Sequence, residues 1–125
     1  METGLDSIRN LQIWQESMEI VKAVYTLTQS QPKEEIYGLT SQVRRAAVSI
    51  PANLAEGLGR GTPREMARFA QIALGSLYEL DTLLHLSTEL GYSSQDTVVE
   101  LRLRERLTAL AKRTSSFIKY QKNRQ

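Results

Sequence analysis

The sequence predicts an all-α protein, a single domain over residues 1–125 folded as an antiparallel, up-down-up-down four-helix bundle. Three observations carry this. Apolar residues recur every three to four positions along four stretches, about 11–30, 34–58, 63–90 and 95–120, which is the period of a helix with one buried face. No stretch keeps the strict alternation of a half-buried strand. Every connection between the stretches is short, which favours antiparallel neighbours.

The first helix is expected from about Leu11 to Ser30. Leu11, Trp14, Met18, Val21, Tyr25 and Thr28 alternate spacings of three and four and so share one stripe. Asn10 has the chemistry of an N-cap. Gln31-Pro32 stops the helix, because proline disfavours helical geometry in the residue before it. The second helix begins near Glu34 or Leu39 and runs to about Leu58, on a stripe of Leu39, Val43, Ala46 or Ala47, Ile50 and Leu54. Gly38 weakens its first turn. Pro51 has no N–H to offer Ala47, and its ring crowds that carbonyl. A kink is expected there rather than a break near Ile50, since the apolar spacing continues in phase through Leu54. Gly57, Gly59 and Gly61 are then read as the end of the helix and a turn.

Thr62-Pro63-Arg64-Glu65 opens the third helix: threonine caps, proline suits the first helical position, and Glu65 completes a capping box. Phe69, Ala73, Leu77, Leu80, Leu84 and Ser87 form its inner stripe, widened by Ile72, Leu83 and Leu90. Gly91 is its C-terminal stop. Ala70, Ala73, Gly75 and Ser76 make a thin patch, and close packing there is expected to offset the roughly 1 kcal/mol cost of a mid-helix glycine. The fourth helix starts after Ser93 or Ser94 and runs to about Tyr120 on Val99, Leu103, Leu107, Leu110, Thr114 and Phe117.

Composition narrows the function classes. The chain has no cysteine, so disulfides and thiolate metal sites are excluded. No apolar stretch is long enough to span a bilayer, and no basic segment followed by an apolar run marks a signal peptide. A cytoplasmic protein without membrane contact is expected. Net charge is +2 and the pI about 9.0. The basic residues concentrate at the end, in Lys112, Arg113, Lys119, Lys122 and Arg124, with no acid from 112 to 125. Such an end attracts nucleic acid or an acidic partner, and equally complements a helix dipole.

No constellation supports catalysis or a cofactor. The GLGRG run from Gly57 to Gly61 lacks the preceding strand of a dinucleotide site and the lysine of a P-loop. A weak anion contact through Arg60 and the N–H groups near Thr62 is the most it offers. Asp81, His85 and Glu89 lie four apart, but no Glu-x-x-His occurs, as a di-iron bundle requires, and His85 is the only histidine. An exposed polar face is the better reading. Glu56 and Glu79 are expected to pair with arginines such as Arg45 or Arg60 and fix helix register. No nucleophile elbow is present.

The arginines carry the main expectation. Arg102, Arg106, Arg113 and Arg124 fall in one narrow sector of the fourth helix, bordering its apolar stripe. Arg64 and Arg68 form a second cluster, Arg44 and Arg45 a third. With Arg60, the residues Arg44, Arg45, Arg64, Arg68, Arg102, Arg106 and Arg113 are the candidate nucleic-acid contacts, since arginine pairs bidentately with phosphate. Val24, Leu27, Val48, Leu74, Leu86 and Leu101 lie outside a narrow seam, and burial between subunits is expected for them.

Several segments resemble one family. They are Leu11-x-x-Trp14-Gln15, Tyr37-Gly38-Leu39, Gln42-Val43-Arg44-Arg45-Ala46, Ser49-Ile50-Pro51-Ala52-Asn53-Leu54-Ala55-Glu56-Gly57, Gly59-Arg60, and Ile72-Ala73-x-Gly75-Ser76-x-x-Glu79-Leu80. In this order they are similar to the four-helix-bundle proteins encoded within intervening sequences of bacterial 23S ribosomal RNA. Leu54 stands where isoleucine is usual. The resemblance implies a non-catalytic homo-oligomer, a cyclic homopentamer. It also implies a link to the accessory proteins of diversity-generating retroelements, which bind a reverse transcriptase and RNA through a basic pentameric surface. The expected partners are therefore further copies of the chain, RNA or DNA, and a reverse transcriptase. The alternative is a protein-interaction scaffold whose arginines pair with glutamates across subunits.

Overall fold

The computed structural model describes residues 4–92 and 97–125, and among these it is all-helical, with no strand. The helices are α1 (Gly4–Arg9), α2 (Gln12–Thr28), α3 (Leu39–Arg60), α4 (Pro63–Glu89) and α5 (Thr97–Asn123), with a 3-10 turn at Lys33–Glu35 before α3. The four long helices pack in a closed circuit, α2 on α3, α3 on α4, α4 on α5 and α5 back on α2. Each contributes to one core, including Ile20 and Val24, Val43 and Ile50, Leu77 and Leu80, and Leu107 and Leu110. The short α1 is absent from the sequence-based reading. A helix of 6 residues cannot stand alone in water; α1 is held by its contacts with α3 and α2.

The boundaries of α4 follow the sequence closely. Thr62 Oγ1 accepts the N–H of Glu65 at 3.2 Å, with Pro63 in the first turn. The reciprocal half of the expected capping box is replaced: the Glu65 carboxylate accepts from Arg68 Nε at 3.0 Å. At the other end Gly91 takes φ +74°. The N–H of Tyr92 reaches the carbonyl of Ser87 at 2.8 Å, and that of Gly91 reaches Thr88 at 3.0 Å. This Schellman geometry needs a left-handed residue, which glycine adopts without a Cβ clash.

Two local expectations are corrected and one holds. Asn10 is not a cap: Leu11 occupies that position in extended geometry, without a side-chain hydrogen bond. Pro51 does not break α3, as expected, and the helix runs on to Arg60. Gly57 and Gly59 are helical; Gly61 alone turns, at φ +82°.

The buried face of α2 is also displaced from the expected stripe. Ile13, Ser17, Ile20, Val24, Leu27 and Thr28 are buried, whereas Met18 and Tyr25 are 39% and 41% exposed. Trp14 and Val21 sit at the edge of the core. Two apolar sets interleave on α2, and the set containing a serine wins. Ser17 tolerates burial because its hydroxyl donates to the Trp14 carbonyl at 2.7 Å. On α4 the expected inner stripe is buried throughout, from Phe69 to Ser87, while Ile72 and Leu90 stay exposed. On α5 Val99 is exposed and Phe117 half-buried. Leu103, Leu107, Leu110 and Thr114 are buried, and the buried face continues through Ile118 and Gln121. The expected start of this helix at Ser93 or Ser94 lies outside the described residues.

Thr114 is 1% exposed, and its Oγ1 has no hydrogen-bond partner among the described residues. A buried hydroxyl left unpaired costs about 1–3 kcal/mol. Thr114→Val keeps the shape and removes the unpaired group. The expected result is a gain of about 1 kcal/mol, read as a rise of about 4 °C in the thermal midpoint. An unchanged or lower midpoint would show that the hydroxyl is satisfied.

Candidate nucleic-acid interface

The eight candidate arginines divide into two groups once side chains are placed. Arg44 is half-buried between α2 and α3. Its Nε donates to Thr28 Oγ1 at 2.9 Å, and its guanidinium lies 4.6 Å from the centre of the Tyr25 ring. Arg60 donates to Glu56 Oε1 at 3.2 Å, and Arg68 to Glu65 Oε2 at 3.0 Å. Both guanidiniums flank the Phe69 ring, at 5.2 and 4.5 Å. Arg113 of α5 donates to Glu16 of α2 at 2.7 Å. These four are engaged by the fold itself. Arg45, Arg64, Arg102 and Arg106 are exposed and, among the described residues, make no ion pair or side-chain hydrogen bond.

The structure brings Arg60, Arg64 and Arg68 together around the α3–α4 turn, because α3 ends and α4 begins there. This cluster is partly neutralised by Glu56 and Glu65. Arg106 and Arg113 come together along an open groove between α2 and α5, walled also by Gln15, Glu16, Glu19, Glu105 and Ala109, with Ile20 at its floor. The groove carries both signs of charge. The carboxyl of Glu19 is held below the usual carboxylate range, first by the hydrogen bond and charge of Lys22 at 2.9 Å, then by Arg106 across the groove. The arginine sector of α5 therefore faces acids on α2, which a periodicity argument on α5 alone has no means of showing.

Other expectations meet the same geometry. Glu56 pairs with Arg60 one turn away on its own helix, so the pair fixes no register between helices, and among the described residues Glu79 and Arg45 make no ion pair. Arg60, beside the turn where a weak anion contact was the most the glycine run offered, is turned to Glu56 and Phe69. Asp81, His85 and Glu89 are exposed. Arg104 Nη2 lies 2.9 Å from His85 Nδ1, and Glu89 Oε1 lies 3.7 Å from Nε2. Among the described residues no group of three His, Asp or Glu is placed to hold a metal. Nor is any helix there long and apolar enough to cross a membrane.

The sequence reading missed a polar network joining three helices. Gln31 Nε2 donates to Ser87 Oγ at 3.0 Å, Thr40 Oγ1 donates to Gln31 Oε1, and Arg44 adds its bond to Thr28. Each residue looked like an ordinary helix-end polar residue. The only available signal was Thr28 and Ser87 standing on apolar stripes. The network explains why Arg44 differs from Arg45: one points into the α2–α3 seam and the other to solvent.

The burial of Val24, Leu27 and Leu74 inside the chain corrects the expectation that subunit contacts cover them; Val48, Leu86 and Leu101 remain exposed. No curated protein matches the sequence. The model of one family, described as 23S rRNA-intervening sequence protein, matches residues 9–115. That span takes in α2, α3, α4 and most of α5, with the polar network and all eight arginines. The chain belongs to the 23S rRNA-intervening sequence protein family.

Proposed function

We propose that the protein is a non-catalytic, homo-oligomeric four-helix-bundle protein of the cytoplasm that binds RNA or DNA through the arginines its own fold leaves unpaired. Contacts between successive helices support the up-down-up-down reading. Thr28 meets Arg44, Ser49 meets Ser76, His85 meets Arg104 and Glu16 meets Arg113. With the Gln31–Thr40, Gly57–Phe69 and Glu19–Arg106 approaches as second points, rising numbers on one helix meet falling numbers on the other in the α2–α3, α3–α4 and α2–α5 pairs.

The observation that carries the nucleic-acid reading is the set of exposed guanidiniums at Arg64, Arg102 and Arg106, which make no ion pair or side-chain hydrogen bond among the described residues, Arg106 acting on Glu19 only at a distance across the groove. Arg102 and Arg106 stand one turn apart on α5. Exposed lysines at 112, 119 and 122 add charge along the same helix. In a ring of copies, the pentamer that the resemblance implies, each weak cluster is repeated and the fields add. A reverse transcriptase is the protein partner that the same resemblance implies.

The test is binding of structured RNA as a function of salt. Neutralising three phosphates per site makes affinity fall about 40-fold between 50 and 200 mM salt. The Arg64→Ala, Arg102→Ala, Arg106→Ala triple variant is expected to flatten that slope. Absence of binding at low salt would remove the reading and leave the second one, a protein-interaction scaffold. The scaffold reading is favoured by one observation of its own: exposed Arg45 and Glu79 make no ion pair or side-chain hydrogen bond among the described residues.

A further inference from the structure

We infer that the outer seam between α3 and α4 is the docking face for a second copy of this chain, with Arg45 of one copy paired to Glu79 of the next. The inference deepens the homo-oligomer reading proposed above and rests on it.

The seam is built from the chain upward. The hydroxyls of Ser49 and Ser76 share a hydrogen bond of 2.8 Å and tie the two helices at mid-length, with Asn53 Nδ2 donating to Ser49 Oγ at 2.9 Å. Around this tie the solvent face is low and apolar. Ile72 and Leu86 are each 43% exposed. Ala52 is exposed too, and a Cβ built on Gly75 would meet nothing within 4 Å. Small residues at Ala52 and Gly75 let another backbone approach closely, and the apolar side chains beside them gain from losing water.

Charge selects the occupant. Arg45 lies one turn before Ser49 on α3, and Glu79 lies one turn after Ser76 on α4. The helices run in opposite senses, so both residues stand at the same level on the seam. Both are exposed, and neither makes an ion pair or side-chain hydrogen bond among the described residues. The neighbouring acids Glu56 and Glu65 are already held by Arg60 and Arg68. Among the described residues this leaves Arg45 and Glu79 open on the same apolar strip. Such a face is complementary to itself, so two copies docked through it close about a two-fold axis, a contact separate from those that close a ring. A phosphate backbone laid along it would meet Glu79, and a purely acidic or basic partner would leave one charge opposed. Arg45 thereby belongs to assembly, while Arg64, Arg102 and Arg106 remain for nucleic acid.

The experiment measures mass by light scattering across a concentration series. The proteins are wild type, Arg45→Glu, Glu79→Arg, the double reversal and Ile72→Ser, with helical circular dichroism as the folding control. Wild type is expected above monomer mass. Each single reversal is expected to weaken assembly at least tenfold, with both charges on the seam then alike. The double reversal restores the pair and is expected to recover most of the assembly, and Ile72→Ser is expected to weaken it. A wild-type monomer would overturn the homo-oligomer reading itself. A wild-type oligomer whose mass ignores both single reversals, or whose double reversal fails to recover, would overturn this face alone.

Discussion

Leu80→Ala is expected to lower stability by about 3 kcal/mol, read as a fall of roughly 10 °C in the thermal midpoint at fixed protein concentration. Leu80 is 0% exposed and lies in the cluster that joins all four long helices. Truncation removes three carbons from the middle of that buried cluster. The loss has two parts, the transfer free energy of the removed groups and the cavity left behind. The cavity is hard to collapse at this position, because the helices on either side are held apart by their own core residues. The polar ties at Ser49–Ser76 and Gln31–Ser87 resist a shift of α4 towards α3. Thermal or urea unfolding followed by circular dichroism measures the change, and a loss below 1 kcal/mol would show that the core repacks.

Gly57→Val is expected to destabilise by about 2–3 kcal/mol, against the sign that helix propensity gives. Gly57 is helical and buried in α3. A Cβ built there would stand 2.6 Å from Phe69 Cβ and 3.3 Å from the carbonyl oxygen of Glu65. The first contact is shorter than carbon atoms tolerate, and the second involves backbone that cannot swing aside. Valine adds two further methyl groups to the same space. Relief requires α3 and α4 to part at the turn, which would also disturb the capping at Thr62. Gly59, two residues on in the same helix, faces open space. Gly59→Ala is therefore expected to stabilise by up to about 1 kcal/mol. If Gly57→Val and Gly59→Ala change stability in the same direction in an unfolding titration, the close approach is wrong.

These two glycines show where sequence reasoning stops. Gly75 was expected to mark the close helix contact, because it stands among small residues on α4. Its neighbourhood is open, and the close approach is at Gly57, inside a segment that reads locally as a turn. A glycine in a helical pattern announces that a side chain is absent; which neighbour requires the absence depends on residues on another helix. The same limit appears on α2. Met18 and Tyr25 fit an apolar period as well as Ile20 and Val24 do, and only the packing against α3 and α5 decides which set is buried. The α4 stripe was legible because one apolar set dominates there and both ends carry explicit stops, Thr62-Pro63 and Gly91.

The arginines divide along the same line. Their number, their clustering and their sector on α5 are properties of spacing, and spacing along a helix is a one-dimensional quantity. Whether a guanidinium is free is a three-dimensional one. Arg113 finds Glu16 almost a hundred positions away in the chain, and Arg44 finds Thr28 and Tyr25, while Arg45 beside it finds no partner among the described residues. Hydrogen bonds and close ion pairs require contact within a few ångströms, and longer charge–charge effects fade over about 10 Å, so both are decided by which helices become neighbours.

By itself the chain determined its helical class, the capped ends of α4, the continuous apolar face from Phe69 to Ser87 and the family to which it belongs, because these rest on local backbone chemistry and on residue order. The tertiary structure alone decided the buried face of α2, the partner of Gly57, the polar network at Gln31 and the sorting of arginines into engaged and open. Each of those is a contact between residues far apart in sequence, and no local preference encodes it.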